Sequence, residues 1–425
     1  LSCIFHLHTD TFWGNGLVES YAIALLTSHY RRNDSRFLFS FIKDEVSRLC
    51  ALNGMLTKEA LEKAISTNST NQGNRKQLRQ ENENINNQNA KLFIGVDRKD
   101  LLALLCLVGN WNAKVDQDIA LIQEILAVDE SSFYKLLQEF QDVGIVRIQE
   151  GIARVYNRRS VWRKVAKYVS HSQVLRYVNV VIKEFAKIDD KIALRFDTSI
   201  QRKYRKVIFA SSVFREGIAH GLAILSVDEK YCTKIAYDDR AFYGDRAVHA
   251  ILDKANWRVW TTIGSDLSAL AEASPDSFID CVSKFYKRRK GGLEVLFESN
   301  DDWIISSGCR FVGLAKAIGT LAWWPAYFAQ AIKFLLDMAS RDPGGGVNPR
   351  PLNLLQEILF PWNPHTCAEI DKRVDVIKGL LNKYDDSLMW KCIELLLPGR
   401  DYAIFEHLDE PTVRISCNCS KKSDI

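Results

Sequence analysis

The sequence contains little proline and glycine for its length, which argues against a fold built from many tight turns. It has 9 prolines and 22 glycines among 425 residues, whereas β-sandwiches and barrels need turn residues at short, regular intervals. By contrast, 10 tryptophans, 14 tyrosines and 21 phenylalanines supply large apolar surfaces for burial. We therefore expect a mainly α protein with a substantial core.

The sequence also lacks an apolar run of the roughly 20 residues that span a bilayer, and its first residues do not resemble a signal peptide. Its ten cysteines are scattered, and several lie in apolar helical patterns where a reduced thiol behaves as a small hydrophobic group. We therefore expect a cytoplasmic protein with no membrane contact and no disulfide framework. Because the chain begins with Leu1, we also expect it to be part of a longer protein.

Catalytic motifs are missing from the sequence as well. The nearest approach to a phosphate-binding loop, at 313–320, has its lysine in the wrong position. His6 and His8 have the spacing that opens metal-dependent phosphoesterases, but such sites need several more ligands on a strand-rich framework. A metal-dependent phosphoesterase built on His6 and His8 is therefore kept as a third hypothesis. The closely spaced pair Cys417 and Cys419 gives only a weak indication of a metal site. No catalytic, cofactor-binding or metal-binding residue is therefore assigned.

Composition divides the chain into four segments. Residues 1–66 carry apolar residues at helical spacing. Residues 67–90 are almost entirely Asn, Gln, Ser, Thr and charged residues, which cannot offset the entropy of ordering them, so we predict a flexible linker. We predict a winged-helix domain at 91–157. Helices joined by short loops at 158–425 predict an α-solenoid-like array of antiparallel helices.

The winged-helix prediction depends on the order of elements. Apolar periodicity and alternation predict three helices followed by a β-hairpin, at 99–108, 116–127, 129–143, 145–148 and 152–156. Asp129 is expected to cap the third helix, and the Gly151 turn to join the two strands.

The third helix is the element with which DNA-binding winged helices read bases. In this chain its polar positions hold one lysine, Lys135, and four carboxylates, those of Asp129, Glu130, Glu139 and Asp142. Phosphates would be repelled by this helix, and phosphate contacts dominate DNA affinity. We therefore expect the winged helix to serve as a packing module within a larger protein rather than as a DNA reader.

A basic stretch follows the winged helix. It comprises Arg158, Arg159, Arg163, Lys164, Arg202, Lys203, Arg205 and Lys206. Two interpretations stay open: a contact surface for nucleic acid or an acidic partner, and a solvated helix face.

Aromatic and proline residues are concentrated in loops further along the chain. The candidate ligand or partner contacts there are Trp324, Arg350, Trp362 and His365. Loop tryptophans either wedge between helices or anchor a ligand. We expect Trp323 to belong to the core and Trp362 to be the better anchor.

Five segments of the array resemble the helical region of a known family. They read LAEASPDSFID at 270–280, LAKAIGTLAWWPAYF at 314–328, DPGGGVNPRPLN at 342–353, ILFPWNPHT at 358–366 and WKCIELLLP at 390–398. Together they resemble the region that follows the ATPase core and winged helix in large bacterial STAND-type P-loop ATPases implicated in antiviral defence. The resemblance extends over residues 91–414.

The resemblance implies a separate role for each of three segments. Residues 1–66 would be the lid end of an ATPase module, 91–157 the regulatory winged helix and 158–425 the beginning of the sensor. It implies a protein ligand, such as a viral protein, whose binding controls oligomerisation and effector activation. ATP and Mg²⁺ are implied only for a parent ATPase core, since this chain has no phosphate-binding loop. The alternative is a nucleic-acid-binding regulator that uses the winged helix and the basic stretch 158–206.

Overall fold

The described residues of the computed structural model begin at residue 97. They are 97–188, 209–236, 242–288, 292–297, 310–345, 348–359, 365–380, 383–390, 407–409 and 411–414. The predictions for residues 1–66 and for the linker at 67–90 therefore lie outside the described residues. So do those for His6, His8, Cys417, Cys419, Trp362, Arg202, Lys203, Arg205 and Lys206.

The described residues form two compact units. The larger unit contains 97–321 and 411–414, and the smaller unit contains 322–409. Helices predominate in both units, and the described residues include a single three-stranded sheet. The mainly α fold class with a helical array is thus confirmed. Every helix in the described part is too short or too polar to cross a membrane.

The larger unit begins with a winged helix. Its elements are α1 (Lys99–Val108), β1 (Asn110–Asn112), α2 (Asp116–Leu126), α3 (Glu130–Asp142), β2 (Val146–Gln149) and β3 (Ile152–Val155). The strands are antiparallel in the order β1-β3-β2. Local signals account for the ends of α3 and of the hairpin: Asp129 accepts a hydrogen bond from the Ser132 amide, and Glu150 and Gly151 adopt the positive φ that the tight turn requires.

The other helices of the larger unit are α4 (Arg158–Val165), α5 (His171–Phe185), α6 (Ser212–Val227), α7 (Phe242–Leu252), α8 (Trp257–Thr262), α9 (Leu267–Ala273), α10 (Pro275–Tyr286) and α11 (Val312–Ala322). Periodicity predicts one uninterrupted helix at 161–185, but the structure ends α4 at Val165 and starts α5 at His171. The break follows from a capping box, in which the Ser170 amide donates to Gln173 Oε1 and the Gln173 amide donates to Ser170 Oγ.

The core of the larger unit is built around α6. This helix packs against α1 and β1 of the winged helix and also against α7 and α9 of the array. Gly217 and Gly221 permit the approach: a Cβ on Gly221 would lie 1.8 Å from the Leu107 carbonyl oxygen, and one on Gly217 would lie 2.4 Å from that of Val108. The winged helix and the helices after it therefore share one core.

The smaller unit is built around α12 (Phe328–Ala339), which packs against α13 (Pro351–Leu359) and α14 (Ile370–Leu380). Thr366 Oγ1 donates to the Ala322 carbonyl at 2.6 Å, which holds the loop after α13 in place. The Glu357 carboxylate accepts from the His407 and Leu408 amides, each at 3.0 Å. A later part of the chain is therefore fastened to α13.

The described cysteines agree with the sequence analysis except at one position. Cys106 and Cys281 are free and buried, and Cys232 is also buried, as expected of reduced cysteines in a helical core. Cys367 is disulfide-bonded, whereas the sequence analysis expects no disulfide framework. Scattered spacing carries no information about which cysteines fold into contact.

Candidate recognition surface

The outer face of α3 is the part of the winged helix that its fold leaves open to a partner. Four apolar side chains of α3 face the core, those of Phe133, Leu136, Leu137 and Phe140. The opposite stripe, at three-, four- and seven-residue spacing, is exposed and consists of Ser131, Tyr134, Lys135, Gln138 and Asp142. We call this stripe, with Glu130 and Glu139 at its edges, the α3 face.

Tyr134 is the main apolar feature of the α3 face. Half of its surface is exposed, and its ring meets the buried Phe133 ring edge-on at a centroid distance of 5.4 Å. A tyrosine has few rotatable bonds and combines a large apolar ring with a polar tip, so it loses little entropy when a partner covers it. Exposed tyrosine at the centre of a helix face is typical of a protein contact.

The charge of the α3 face is negative. Glu130, Glu139 and Asp142 contribute three carboxylates against the single ammonium of Lys135. Asp142 is held by an amide hydrogen bond from Gln138 at 2.7 Å. Asp129 lies at the helix start, where the hydrogen bond from the Ser132 amide lowers the pKa of its carboxyl group. The α3 face therefore attracts a cationic partner and repels phosphate.

The wing beside α3 has the opposite charge. Arg147 on β2 and Arg154 on β3 are exposed and directly paired across the two strands. The Arg147 guanidinium lies over the Tyr156 ring, 4.1 Å from its centroid. Like charges opposite one another destabilise a strand pair, and a bound anion would relieve that repulsion. The wing is thus the anion-attracting part of the winged helix.

Arg158, the first residue of the predicted basic surface, is partly buried and directs its guanidinium into the protein. Its guanidinium donates to the Cys106 and Leu107 carbonyls at 2.5 and 2.7 Å, and to the Gly217 carbonyl at 2.7 Å. Desolvation lowers the pKa of this guanidinium. Arg158 therefore satisfies carbonyls at the C-terminal end of α1 and joins α1 to α6, which corrects its assignment as a contact residue.

Arg159 and Arg163 are engaged with a buried carboxylate. Both donate to Asp228, with shortest distances of 2.8 and 3.0 Å, and Arg159 also donates to the Val413 carbonyl at 2.6 Å. Burial raises the pKa of Asp228, but the hydrogen bonds from the two arginines outweigh it, so the pKa is lowered overall. Asp228 thus offsets one of the two positive charges that Arg159 and Arg163 contribute to the predicted surface. Lys164 of the same helix is exposed.

The loop residues predicted as contacts also have internal roles. Trp324 is only 6% exposed and belongs to the core, whereas its neighbour Trp323 is partly exposed. Arg350 forms an ion pair with Asp342 at 2.7 Å, which joins the two ends of the loop between α12 and α13. The burial of Trp324 corrects its assignment as a contact residue, whereas the assignment of the partly buried Arg350 stays a prediction.

His365 lies edge-on against the Trp323 ring at a centroid distance of 5.0 Å. Its Nε2 atom and the Trp323 Nε1 atom are buried, and neither finds a hydrogen-bond partner among the described residues. Desolvation lowers the pKa of His365 to about 4 although a hydrogen bond with the Asp409 backbone raises it. His365 is therefore neutral at physiological pH and packs as an aromatic ring.

Tyr134 is the functional candidate that the sequence analysis missed. Its signal was present in the helix pattern: Tyr134 falls outside the buried stripe that Phe133, Leu136, Leu137 and Phe140 define, so a helical projection places a large aromatic residue in solvent. The arginines of the wing, Arg147 and Arg154, were missed because each lies in a short alternating strand that was considered only as structure.

Comparison of the chain with protein-family models, with curated proteins and with solved structures gives no significant match.

Proposed function

We propose that this chain is a regulatory, ligand-sensing scaffold that recognises a protein partner through the α3 face. The observation that carries the proposal is an exposed tyrosine among carboxylates on the helix that a winged helix presents outward. The partner that fits is a protein surface with basic residues around a pocket for an aromatic ring. Tyr134 would fill the pocket, and Glu130, Glu139 and Asp142 would meet the basic rim.

The described part of the basic stretch supports a protein partner over nucleic acid. Arg158 donates to internal carbonyls, and Arg159 and Arg163 donate to Asp228, so these three side chains already have partners within the protein. A duplex docked on α3 would meet carboxylates where phosphate contacts are required.

The cellular context of the proposal comes from the resemblance in the helical array. We place the chain in a cytoplasmic STAND-type ATPase of bacterial antiviral defence, with ATP and Mg²⁺ bound by a parent core and self-association through that core. The protein ligand would be the trigger that releases oligomerisation. The full reading frame tests this context, because a phosphate-binding loop ahead of residue 1 supports it and a frame with no such loop contradicts it.

Quantitative capture tests the recognition role. The purified chain and its Tyr134→Ala variant are immobilised, and proteins retained from a lysate of the producing cells are quantified by mass spectrometry. Phe242→Ala is the matched control, because Phe242 is also an exposed aromatic residue, 61% accessible, at the start of α7. A hot-spot tyrosine contributes about 2 kcal/mol or more, which is roughly a 30-fold change in affinity.

We expect a set of proteins with basic surfaces to be retained by the parent chain and by Phe242→Ala, and to be depleted with Tyr134→Ala. Equal retention of these proteins by the parent chain and both variants would show that α3 is not part of the binding surface.

Nucleic-acid binding is the second candidate, and the wing is the observation in its favour. Arg147 and Arg154 form an exposed pair of like charges beside α3, as a wing that contacts a phosphate backbone would. This candidate differs from the first in the partner it places next to α3. If it is right, a photo-crosslinking side chain placed on α3 should form a covalent adduct with nucleic acid rather than with a protein.

A further inference from the structure

Three side chains with metal-binding atoms meet where α7 packs against α10. His249 comes from α7, Asp253 follows directly after α7, and Cys281 comes from α10. One ligand atom of each residue lies within 4.8 Å of the other two. Cys281 is buried, whereas His249 and Asp253 are partly exposed, so the cluster opens from the core towards solvent.

The spacing of the residues explains why the three groups converge. His249 and Asp253 are four positions apart, which places them on one face of a helix. Cys281 lies in the stretch of α10 that packs against that face. The end of α7 is held there by Arg288, which donates to the carbonyls of Asp253 and Ala255. The two sides of the cluster are therefore fixed relative to one another before any ion binds.

The distance between the sulfur and the imidazole matches a metal centre. Cys281 Sγ lies 3.7 Å from His249 Nδ1. A tetrahedral zinc ion, with Zn–S of about 2.3 Å and Zn–N of about 2.0–2.1 Å, separates its sulfur and nitrogen ligands by about 3.6 Å. Without an ion, the same distance allows a weak S–H···N hydrogen bond between Cys281 and His249. This bond keeps both side chains directed at the position that the ion would occupy.

The donor set also selects the kind of ion. One sulfur, one imidazole nitrogen and one carboxylate oxygen suit a borderline cation such as Zn²⁺ and do not suit Mg²⁺ or Ca²⁺, which prefer oxygen ligands. Lys284 contacts the carboxylate from outside the cluster: its Nζ lies 2.5 Å from Asp253 Oδ1 and 2.8 Å from Asp280 Oδ2. Such an outer partner can orient a ligating carboxylate, which has a second oxygen for the ion.

We propose that His249, Asp253 and Cys281 bind one Zn²⁺ ion that staples α7 to α10. Binding releases the thiol proton of Cys281 to water and forms a Zn–S bond, with no change of oxidation state. Water occupies the fourth position on the solvent side. The ion joins two helices of the array, so this inference is independent of the partner proposed for the α3 face.

Metal binding to the full chain tests the proposal. Zinc affinity is measured by chelator competition, and cobalt is used as a spectroscopic substitute because a thiolate ligand gives a charge-transfer band in the near ultraviolet. The variants are Cys281→Ala and Asp253→Asn. Cys106→Ala is the matched control, since Cys106 is a buried free cysteine of α1 outside the cluster.

We expect one zinc ion per chain and a thiolate–cobalt band in the parent and in Cys106→Ala. The band should vanish in Cys281→Ala, and zinc affinity should fall by roughly 10–100-fold or more in Asp253→Asn. Asp253 is partly exposed, so this variant keeps the test valid if Cys281→Ala does not fold. A parent chain that binds no zinc, or a cobalt band that persists in Cys281→Ala, would overturn the proposal.

Discussion

At the scale of single residues, burial lowers the pKa of His365 well below the ordinary value for histidine. The ring packs against Trp323, and desolvation brings its pKa to about 4. An unperturbed histidine has a pKa of about 6.5. Because the folded protein disfavours the charged ring, the unfolded chain takes up a proton first as the pH falls. The stability that the neutral ring provides is therefore fully present above about pH 6.5 and is lost as the pH falls towards 4.

Histidine NMR measures this directly. We expect the His365 ring resonance, assigned by its loss in His365→Gln, to titrate with a midpoint near 4. The free energy of unfolding of the parent relative to His365→Gln should decrease between pH 6.5 and 4. A midpoint near 6.5 would mean that the ring is solvated and that its packing against Trp323 is not maintained in solution.

Several residues are misassigned from sequence for one physical reason. Arg158 and Trp324 look like contact residues because arginine and loop tryptophan are common in interfaces. The partners of Arg158 lie far away in sequence, since it donates to the carbonyls of Leu107 and Gly217, more than 50 positions before and after it. A local pattern contains no information about such partners. Tyr134 is different, since its exposure follows from the periodicity of its own helix.

At the scale of elements, a close contact between two helices of the larger unit depends on a glycine, which has no side chain. Gly221 of α6 faces the end of α1, and a Cβ there would lie 1.8 Å from the Leu107 carbonyl oxygen and 2.5 Å from the Tyr177 hydroxyl. The Tyr177 hydroxyl donates to the Ile218 carbonyl at 2.6 Å, so it is not free to move aside. α1 and α6 can therefore accommodate an added methyl group only by separating.

Gly221→Ala tests this contact, with Gly379→Ala as the matched control. Overpacking of this kind costs typically about 1–3 kcal/mol, and we expect the upper end because a backbone carbonyl is in the way. Gly379 lies near the end of α14, and a Cβ added there would meet no other atom within 4 Å. Gly379→Ala should therefore be neutral or stabilise by up to about 1 kcal/mol.

Urea unfolding followed by circular dichroism measures both free energies. Equal stability of Gly221→Ala and the parent would show that α1 and α6 are further apart in solution than the structure places them.

The ends of elements are the part of the fold that local signals predict well. The Asp129 cap and the Gly151 turn lie where the sequence analysis expects them, and Pro275 occupies the first turn of α10, where proline is tolerated. The break between α4 and α5 could also have been predicted, since Ser170 and Gln173 form a standard capping box. Periodicity alone hides such a break because the apolar stripe continues through it.

At the scale of the whole molecule, the central result is that the winged helix is not separate from the helices that follow it within the larger unit. α6 packs on α1 and β1 and also on α7 and α9, so these elements share one core. The fold class could be predicted from composition and periodicity. The shared core could not, because it depends on the close approach that Gly217 and Gly221 allow between segments roughly 100 residues apart in the chain.

The α3 face, as proposed above, binds a protein with a basic surface. The most direct measurement places a photoreactive phenylalanine analogue at position 134 of the full chain in the producing cells. Irradiated samples are divided and treated with nuclease or with protease, and the adducts are separated by size. The matched control carries the same analogue at position 242, and a charge-reversed chain combines the analogue at 134 with Glu139→Lys and Asp142→Lys.

We expect a discrete adduct from position 134 that resists nuclease, is destroyed by protease and contains a second protein. The adduct should be absent from position 242 and strongly reduced in the charge-reversed chain, because the partner surface is basic. An adduct that nuclease removes, or one that charge reversal strengthens, would contradict protein recognition by α3 and support nucleic-acid binding beside the Arg147–Arg154 wing.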